Sequence, residues 1–498
     1  MVVAATAGFL VGLDTTALNV ALPAIGRDLH ASLAALQAVV TVFALSSAAL
    51  LTAAGLLADR WGRRRVFLAG VLAFGAASAA CAAAPSVTVL VAARISQGAG
   101  AAVVTAAGLA VLAAAYSGAD RDRALGSYSA LAALSFVVGP LVGGALTELA
   151  GWRVVFLVNV PVAALIALVA ARGLPESHAS RAEPLDVRGI VTFSVGLAAL
   201  NVVLLEGEGR GWTSPTVLAA AVAALAALAV FVRVERGRAV PAVDLRLFRH
   251  RAFAGGALAY ALGAAAFFGL LTYLGLFLQG VLGFSPVDAG LAFLPFIAPY
   301  AVAAKLAGAL LARVPRAALA VTGLVGAGIG MVLLTVTDGT STLVDFVPGL
   351  VVLGAGAGLM VPTVTSAALS ALPPERLGVG SGLLSTVRPL GVLLGTGLLG
   401  LALRVAVADG SGLDGPALAA AQAGDVDRAT ALSGEAPAVV SAAFVHGFHA
   451  AALVGAALVL LAAVLAGLML RGGTTDGGDG PETRPAVPAR SGWHHRAS

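Results

Sequence analysis

Charged side chains are scarce in this chain of 498 residues: they make up 11% of it, against 59% hydrophobic residues and a mean hydropathy of +0.98. That balance excludes a water-soluble enzyme, because too little polar surface exists to cover the apolar mass. Cysteine occurs once, at Cys81, which rules out an intrachain disulfide framework and a cysteine metal cluster within one chain. Lysine also occurs once among the 30 basic residues. No glycine-rich phosphate loop with its lysine, zinc motif or catalytic triad stands out, so neither ATP nor hydrolytic chemistry is indicated. The first apolar run has no basic leader and passes through Asp14 and Asn19 without a small-residue cleavage site. It is therefore expected to stay in the protein as a membrane span.

What is abundant is uninterrupted apolar sequence. No charge falls between Arg123 and Glu148, Arg210 and Arg233, Arg316 and Asp338, or Asp345 and Glu375, and each interval accommodates one bilayer-crossing helix. The longer intervals Arg65 to Arg94 and Arg251 to Asp288 contain turn signals, Ala84-Pro85-Ser86 and Gly283-Phe284-Ser285-Pro286, and so hold a hairpin end. Counted this way, the chain is an all-α integral membrane protein of fourteen spans. Residues 1–172 supply six, 173–251 two with a cytoplasmic loop, and 252–471 six. The Gly- and Pro-rich tail 472–498 has the composition of disorder, and its His494 and His495 are read as solvated.

With the N-terminus in the cytoplasm, 22 of the 30 basic residues fall on the cytoplasmic connections and tail. Five, Arg27, Arg153, Arg210, Arg404 and Arg428, fall on the opposite face. This asymmetry orients a polytopic protein in the cytoplasmic membrane with both termini inside. It also places the positive charge beside anionic lipid, so a pI near 10.0 requires no nucleic acid partner. The turn GLLADRWGRRR from Gly55 has an echo in GALLARVPR from Gly308, aligning Gly55, Leu57, Arg60 and Arg63 with Gly308, Leu310, Arg313 and Arg316. The match at a constant offset predicts two similar bundles. The segment from Val405 to Val440 reads as an outer loop or a short amphipathic excursion.

A few polar residues interrupt the apolar runs, and these are the candidate site. Asp14 is the one carboxylate well inside the first run, about 12 Å of helix before Pro23, where an outer loop is expected. A lone acid in hydrocarbon must be protonated or face water or a cation, which makes it a natural proton carrier. Arg94 lies deep enough to need a carboxylate, carbonyls or cavity water, and Gln97 follows on nearly the same helical face. Asn19, Gln37, Gln279 and Arg388 are further polar groups available to orient a ligand in a central cavity. Lys305 is expected to snorkel toward headgroups, and His446 and His449 to be interfacial or hydrogen-bonded rather than a metal pair. If Arg94 and Arg388 both face the cavity, two cations accompany one carboxylate, a balance suited to neutral, zwitterionic or anionic substrates.

The order LDTTALNVALPAI (from Leu13), GLLADRWGRRRVFL (from Gly55), ARISQGAGAA (from Ala93), GPLVGG (from Gly139) and GWRVVFLVNVP (from Gly151) resembles the fourteen-span drug:proton antiporter branch of the major facilitator superfamily. It departs from that pattern at Ala38, Ala106 and Ala312, none of which removes a motif's core. The resemblance implies a major facilitator fold, with two six-helix bundles and two intervening helices. It implies proton coupling through Asp14 and Arg94. It further implies a cytoplasmic gate motif of Gly55, Asp59, Arg60, Gly62 and Arg63, in which glycine allows close helix approach and Asp59 accepts from an exposed helix N-terminus. Gly139, Pro140, Gly143 and Gly144 form the antiporter motif, which favours export. The expected function is proton-coupled export of small amphiphilic drugs or antibiotics by alternating access. The proton gradient is its energy source, there is no other cofactor, and a monomer is expected. An uptake symporter or lipid exporter on the same scaffold is the alternative, and a membrane enzyme or sensor without transport the remote one.

Overall fold

Helix is the regular structure throughout the described residues, because hydrocarbon offers backbone N–H and C=O groups no partner outside the segment itself. The computed structural model describes residues 2–116, 118–177, 187–237, 245–311, 313–372 and 377–470; the tail 472–498, Ala312 and Arg376 lie outside them. The first half contains α1 (Val2–Leu29), α2 (Leu33–Trp61), α3 (Arg63–Ala82), α4 (Val87–Ala115), α5 (Gly118–Ala150), α6 (Arg153–Leu157) and α7 (Asn159–Gly173). A hairpin of α8 (Val187–Arg210) and α9 (Pro215–Arg236) follows. The second half begins with α10 (Arg251–Leu276), which is prolonged by a π-helical turn, Phe277–Val281. It continues with α11 (Pro286–Ala292), α12 (Leu294–Leu310), α13 (Arg316–Leu333), α14 (Leu343–Leu369) and α15 (Leu377–Ser411). Two short helices, α16 (Gly415–Gln422) and α17 (Val426–Ser433), precede the last, α18 (Pro437–Met469).

Among the described residues, twelve stretches are long and apolar enough to cross a bilayer, with α6–α7 and α11–α12 each counted as one; α5 and α8 carry shorter apolar segments, Val138–Ala150 and Arg188–Leu204. Helix starts coincide with the turn signals. Ser32, Ser86 and Ser214 accept from the backbone N–H of Ala35, Val89 and Val217, and Ser285, ahead of Pro286, accepts from that of Asp288. Within the first half α1 packs on α5, and α4 on both α2 and α3. Within the second, α10 packs on α15 and α18, and α14 on α12 and α13. The halves meet where α1, α2 and α5 face α10, α11 and α15, and α8 lies against both α2 and α15.

Two expectations are corrected. Pro23 does not end the first span: α1 continues through it to Leu29. A proline removes one backbone bond, whereas unwinding the following turn inside the bundle would strand several. Asp14 therefore lies about 22 Å, not 12 Å, from the end of its helix. Of the two readings of segment 405–440, the structure takes the short helical excursion over the loop: α15 runs on to Ser411, and α16 and α17 follow. Arg404, counted with the basic residues of the outer face, is not exposed there but buried within α15, at 4% exposure, because its guanidinium finds acceptors on two neighbouring helices.

Candidate functional site

The polar residues of the first half converge on one buried knot. Arg94 on α4 donates from Nη1 to Asp14 Oδ2 on α1 at 2.6 Å, and both side chains are essentially inaccessible. The same nitrogen reaches Gln97 Oε1 at 2.6 Å, and Nε reaches the Val39 carbonyl on α2 at 3.1 Å. Asp14 Oδ1 accepts from Gln97 Nε2 at 2.8 Å and from Asn159 Nδ2 on α7 at 2.7 Å. Ser78 on α3 accepts from Gln97 Nε2 at 2.8 Å and donates to the Phe74 carbonyl at 2.8 Å. The guanidinium carbon sits 4.1 Å from the centroid of the Phe43 ring. Five helices thus surround a carboxylate and a guanidinium that satisfy each other, as charges removed from water must.

Beside this knot, between the halves, is a recess of ≈330 Å³ lined by Thr16 and Asn19 of α1, Pro140 of α5, Phe267 and Leu271 of α10, and Phe293, Phe296 and Ile297 at α11–α12. Its second-half wall is aromatic: Phe296 stacks on Phe267 at 5.0 Å and on Tyr300 at 5.9 Å. A larger cleft, ≈480 Å³, lies at the far end around Arg27, Gln279 and Asp425 and contains none of the knot.

The two halves are tied at the end of the bundle that carries Asp28. Gln279 donates to the Val20 carbonyl at 2.7 Å, the Val287 N–H to Glu148 Oε2 at 3.1 Å, and Gln37 Nε2 to the Tyr273 hydroxyl at 2.8 Å. The glycines of GPLVGG allow close approach, Gly139 and Gly143 to α1 within the first half and Gly144 to the second half. A side chain on Gly139 would overlap Thr16, one on Gly143 would come within 2.5 Å of the Ala17 carbonyl oxygen, and one on Gly144 would overlap the Pro286 carbonyl of the second half. At the opposite end Arg63 forks onto Asp59 Oδ1 through Nη2 (2.8 Å) and Nε (3.0 Å). Arg60 is exposed there.

The Major Facilitator Superfamily family model matches residues 4–396. The chain belongs to this superfamily. This major facilitator protein is 37% identical over 380 residues to the multidrug resistance protein Stp of Mycobacterium tuberculosis, covering 76% of this chain and 70% of that one. It is 36% identical to the puromycin resistance protein pur8 of Streptomyces alboniger, over 77% of each. Its fold matches a bacterial homologue of the human lysosomal transporter Spinster, solved in an inward-facing and unoccupied conformation, with a TM-score of 0.69 and 21% identity over 94% of this chain and 96% of that one. The major facilitator chain is accordingly a multi-pass membrane transporter of small molecules and not an enzyme.

Set on the superfamily fold, the residues singled out in the sequence divide into groups. Asp14, Arg94 and Gln97 are in contact in the knot, while Asn19 and Pro140 line the recess. Arg94 does not face the recess as a second cation, since it is neutralised by Asp14. Gln37 is fully buried in the tie between halves, and Gln279 lines the far cleft instead of the recess. Arg388 is exposed and acts electrostatically on Tyr128, Tyr260 and Tyr300. Lys305 is exposed, and His449 bonds to the Thr337 carbonyl at 2.7 Å. In the gate motif Gly55 has open space where a side chain would go, so close helix approach is not its role. Asp59 takes Arg63, and Glu176 takes the α3 N-terminus, accepting from the N–H of Arg64 (3.0 Å) and Arg65 (3.2 Å). Sequence reasoning missed Asn159, Ser78, Tyr273, Glu176 and the burial of Arg404. Asn159, a polar residue amid the apolar run Val154–Val162, carried the same signal as Asp14.

Proposed function

We propose that this transporter is a proton-coupled antiporter that exports small amphiphilic drugs or antibiotics across the cytoplasmic membrane by alternating access. It acts as a monomer of fourteen spans with both termini in the cytoplasm. Two six-helix bundles, 1–172 and 252–471, rock about the recess, the hairpin within 173–251 adds two spans, and the Asp28 end faces outward. The observation that carries this reading is the buried Asp14–Arg94 pair, whose carboxylate lies in the same helix as the recess-lining Thr16 and Asn19 and within two turns of both. Protonation of Asp14 removes the charge that Arg94 binds, and the knot must then rearrange, which moves α1 and with it the recess wall. Once its amide turns over, Asn159 Oδ1, buried and without a hydrogen-bond partner among the described residues, accepts the hydrogen bond that the protonated carboxyl donates. The drug and antibiotic resistance relatives support export over uptake. The aromatic wall suits the organic body of a ligand.

Inside-out vesicles acidified in the lumen test the reading directly. They should accumulate an amphiphilic antibiotic such as puromycin, a protonophore should abolish accumulation, and Asp14→Asn should do the same while the protein remains in the membrane. Undiminished, protonophore-resistant accumulation by Asp14→Asn would overturn the coupling scheme.

A further inference from the structure

We propose that Arg404 is the pin of the gate that closes the Asp28 end, holding α2 of the first half to α15 of the second and fastening the hairpin helix α8 across both. One guanidinium reaches two separate elements: Nη1 donates to Gln37 Oε1 on α2 at 2.6 Å, and Nη2 to the Leu204 carbonyl on α8 at 3.0 Å. Gln37 then uses its other amide atom on the second half, donating from Nε2 to the Tyr273 hydroxyl at 2.8 Å. Tyr273 in turn donates to the Thr396 carbonyl, two turns before Arg404 on α15. The circuit returns to the helix from which it began. α8 has a second anchor, Asn201 Nδ2 donating to Thr41 Oγ1 on α2 at 3.2 Å, and a side chain on Gly397 of α15 would come within 2.9 Å of the Leu204 side chain.

The packing is fitted to this circuit. Gly400 lies one turn before Arg404, and a Cβ there would overlap Gln37 Nε2 and the Tyr273 hydroxyl, so the contact closes only because position 400 has no side chain. Opening the recess toward this end requires α2 to leave α15, which breaks Arg404 to Gln37 and Gln37 to Tyr273 together. Those groups are buried, and a guanidinium inside a membrane protein is stable only while its donors are used. The gate therefore opens only as water enters to replace Gln37. Arg404 is a positioning residue, and α8 gains a role as the strap over the seam between halves.

The inference rests on alternating access and on the Asp28 end facing outward; it does not depend on protons or on the substrate. The test uses the full-length protein with its one cysteine removed (Cys81→Ser) and Leu271→Cys, which lines the recess behind the gate, as the reporter. A membrane-impermeant maleimide is applied to whole cells and, separately, to inside-out vesicles. Arg404→Gln and Gln37→Leu should each raise labelling from outside by roughly tenfold, the scale of one lost charge-assisted hydrogen bond, and lower labelling from the cytoplasmic side reciprocally. Gly400→Val should act in the same direction as a wedge, and Arg404→Lys should fall between, since an ammonium lacks the fork that spans both acceptors. Unchanged labelling from both sides in Arg404→Gln and Gln37→Leu overturns the proposal, as does a rise from both sides together, which marks a loosened fold. A rise from the cytoplasmic side with a fall from outside keeps the pin and overturns the orientation.

Discussion

At the scale of single residues, the decisive fact is that Asp14 and Arg94 are each tolerable only in the other's presence. A pair removed from water contributes little net stability, yet removing one partner leaves a buried charge and costs about 3–5 kcal/mol. Charge alone does not define the site. Arg94 uses Nε on the Val39 carbonyl, shares Nη1 between Asp14 and Gln97, and stacks over Phe43. Arg94→Lys keeps the charge but loses the fork and the stacking. Transport by Arg94→Lys should fall at least about tenfold at normal expression, measured as vesicle uptake per transporter, the scale of losing one charge-assisted hydrogen bond. Wild-type rates would reduce Arg94 to a point charge. Asp14 and Arg94 were legible individually, because a polar group within an apolar run announces its own cost. That Asn159 completes the carboxylate's shell was not, since nothing local connects residues 145 apart.

At the scale of elements, α3 is held at its start by a group from a distant segment. Glu176, three residues beyond α7, accepts from the N–H of Arg64 and Arg65 and thereby places a carboxylate at the positive end of the helix. Gly62, at φ 104°, makes the turn that exposes those groups, and a Cβ there would fall 2.7 Å from the Glu176 carboxylate. Glu176→Ala should cost about 1 kcal/mol, the usual value of a lost cap. Gly62→Ala should cost more, about 1–3 kcal/mol, because strain adds to the lost cap. Thermal unfolding of the purified protein in detergent, followed by tryptophan fluorescence, gives the order; equal midpoints for Gly62→Ala and wild type would contradict it. The GLLADRWGRRR turn was visible as a motif, but its helix N-terminus was read onto the wrong acid: Asp59 takes the Arg63 side chain, and the backbone N–H groups go to Glu176, brought in from beyond α7 by packing.

At the scale of the whole molecule, the proposed orientation and span count can both be read from the hairpin between the halves. If α8 and α9 both cross, the turn between Arg210 and Pro215 lies outside the cell, while Gly173 and the chain beyond Arg236 lie inside. A reporter enzyme active only outside the cytoplasm, fused after Gly211, should be active, and one fused after Gly173 inactive. An inactive Gly211 fusion in a protein that still transports would reduce the count to twelve spans. The same crossing places the α8 strap where the Asp28 end closes.

The sequence by itself determined the solvent of this protein, its helical class and its family. Those follow from composition, from the spacing of charges along apolar runs and from motifs in order, all of which are local or additive properties. Tertiary structure alone decided which polar groups satisfy which. It moved Gln37 from the cavity to the tie between halves, brought Arg404 into the interior and carried α1 past Pro23. The physical reason is common to all three: inside a bundle a polar group is placed by the acceptor or donor it must find, and that partner comes from another helix, at a sequence distance no pattern along the chain encodes.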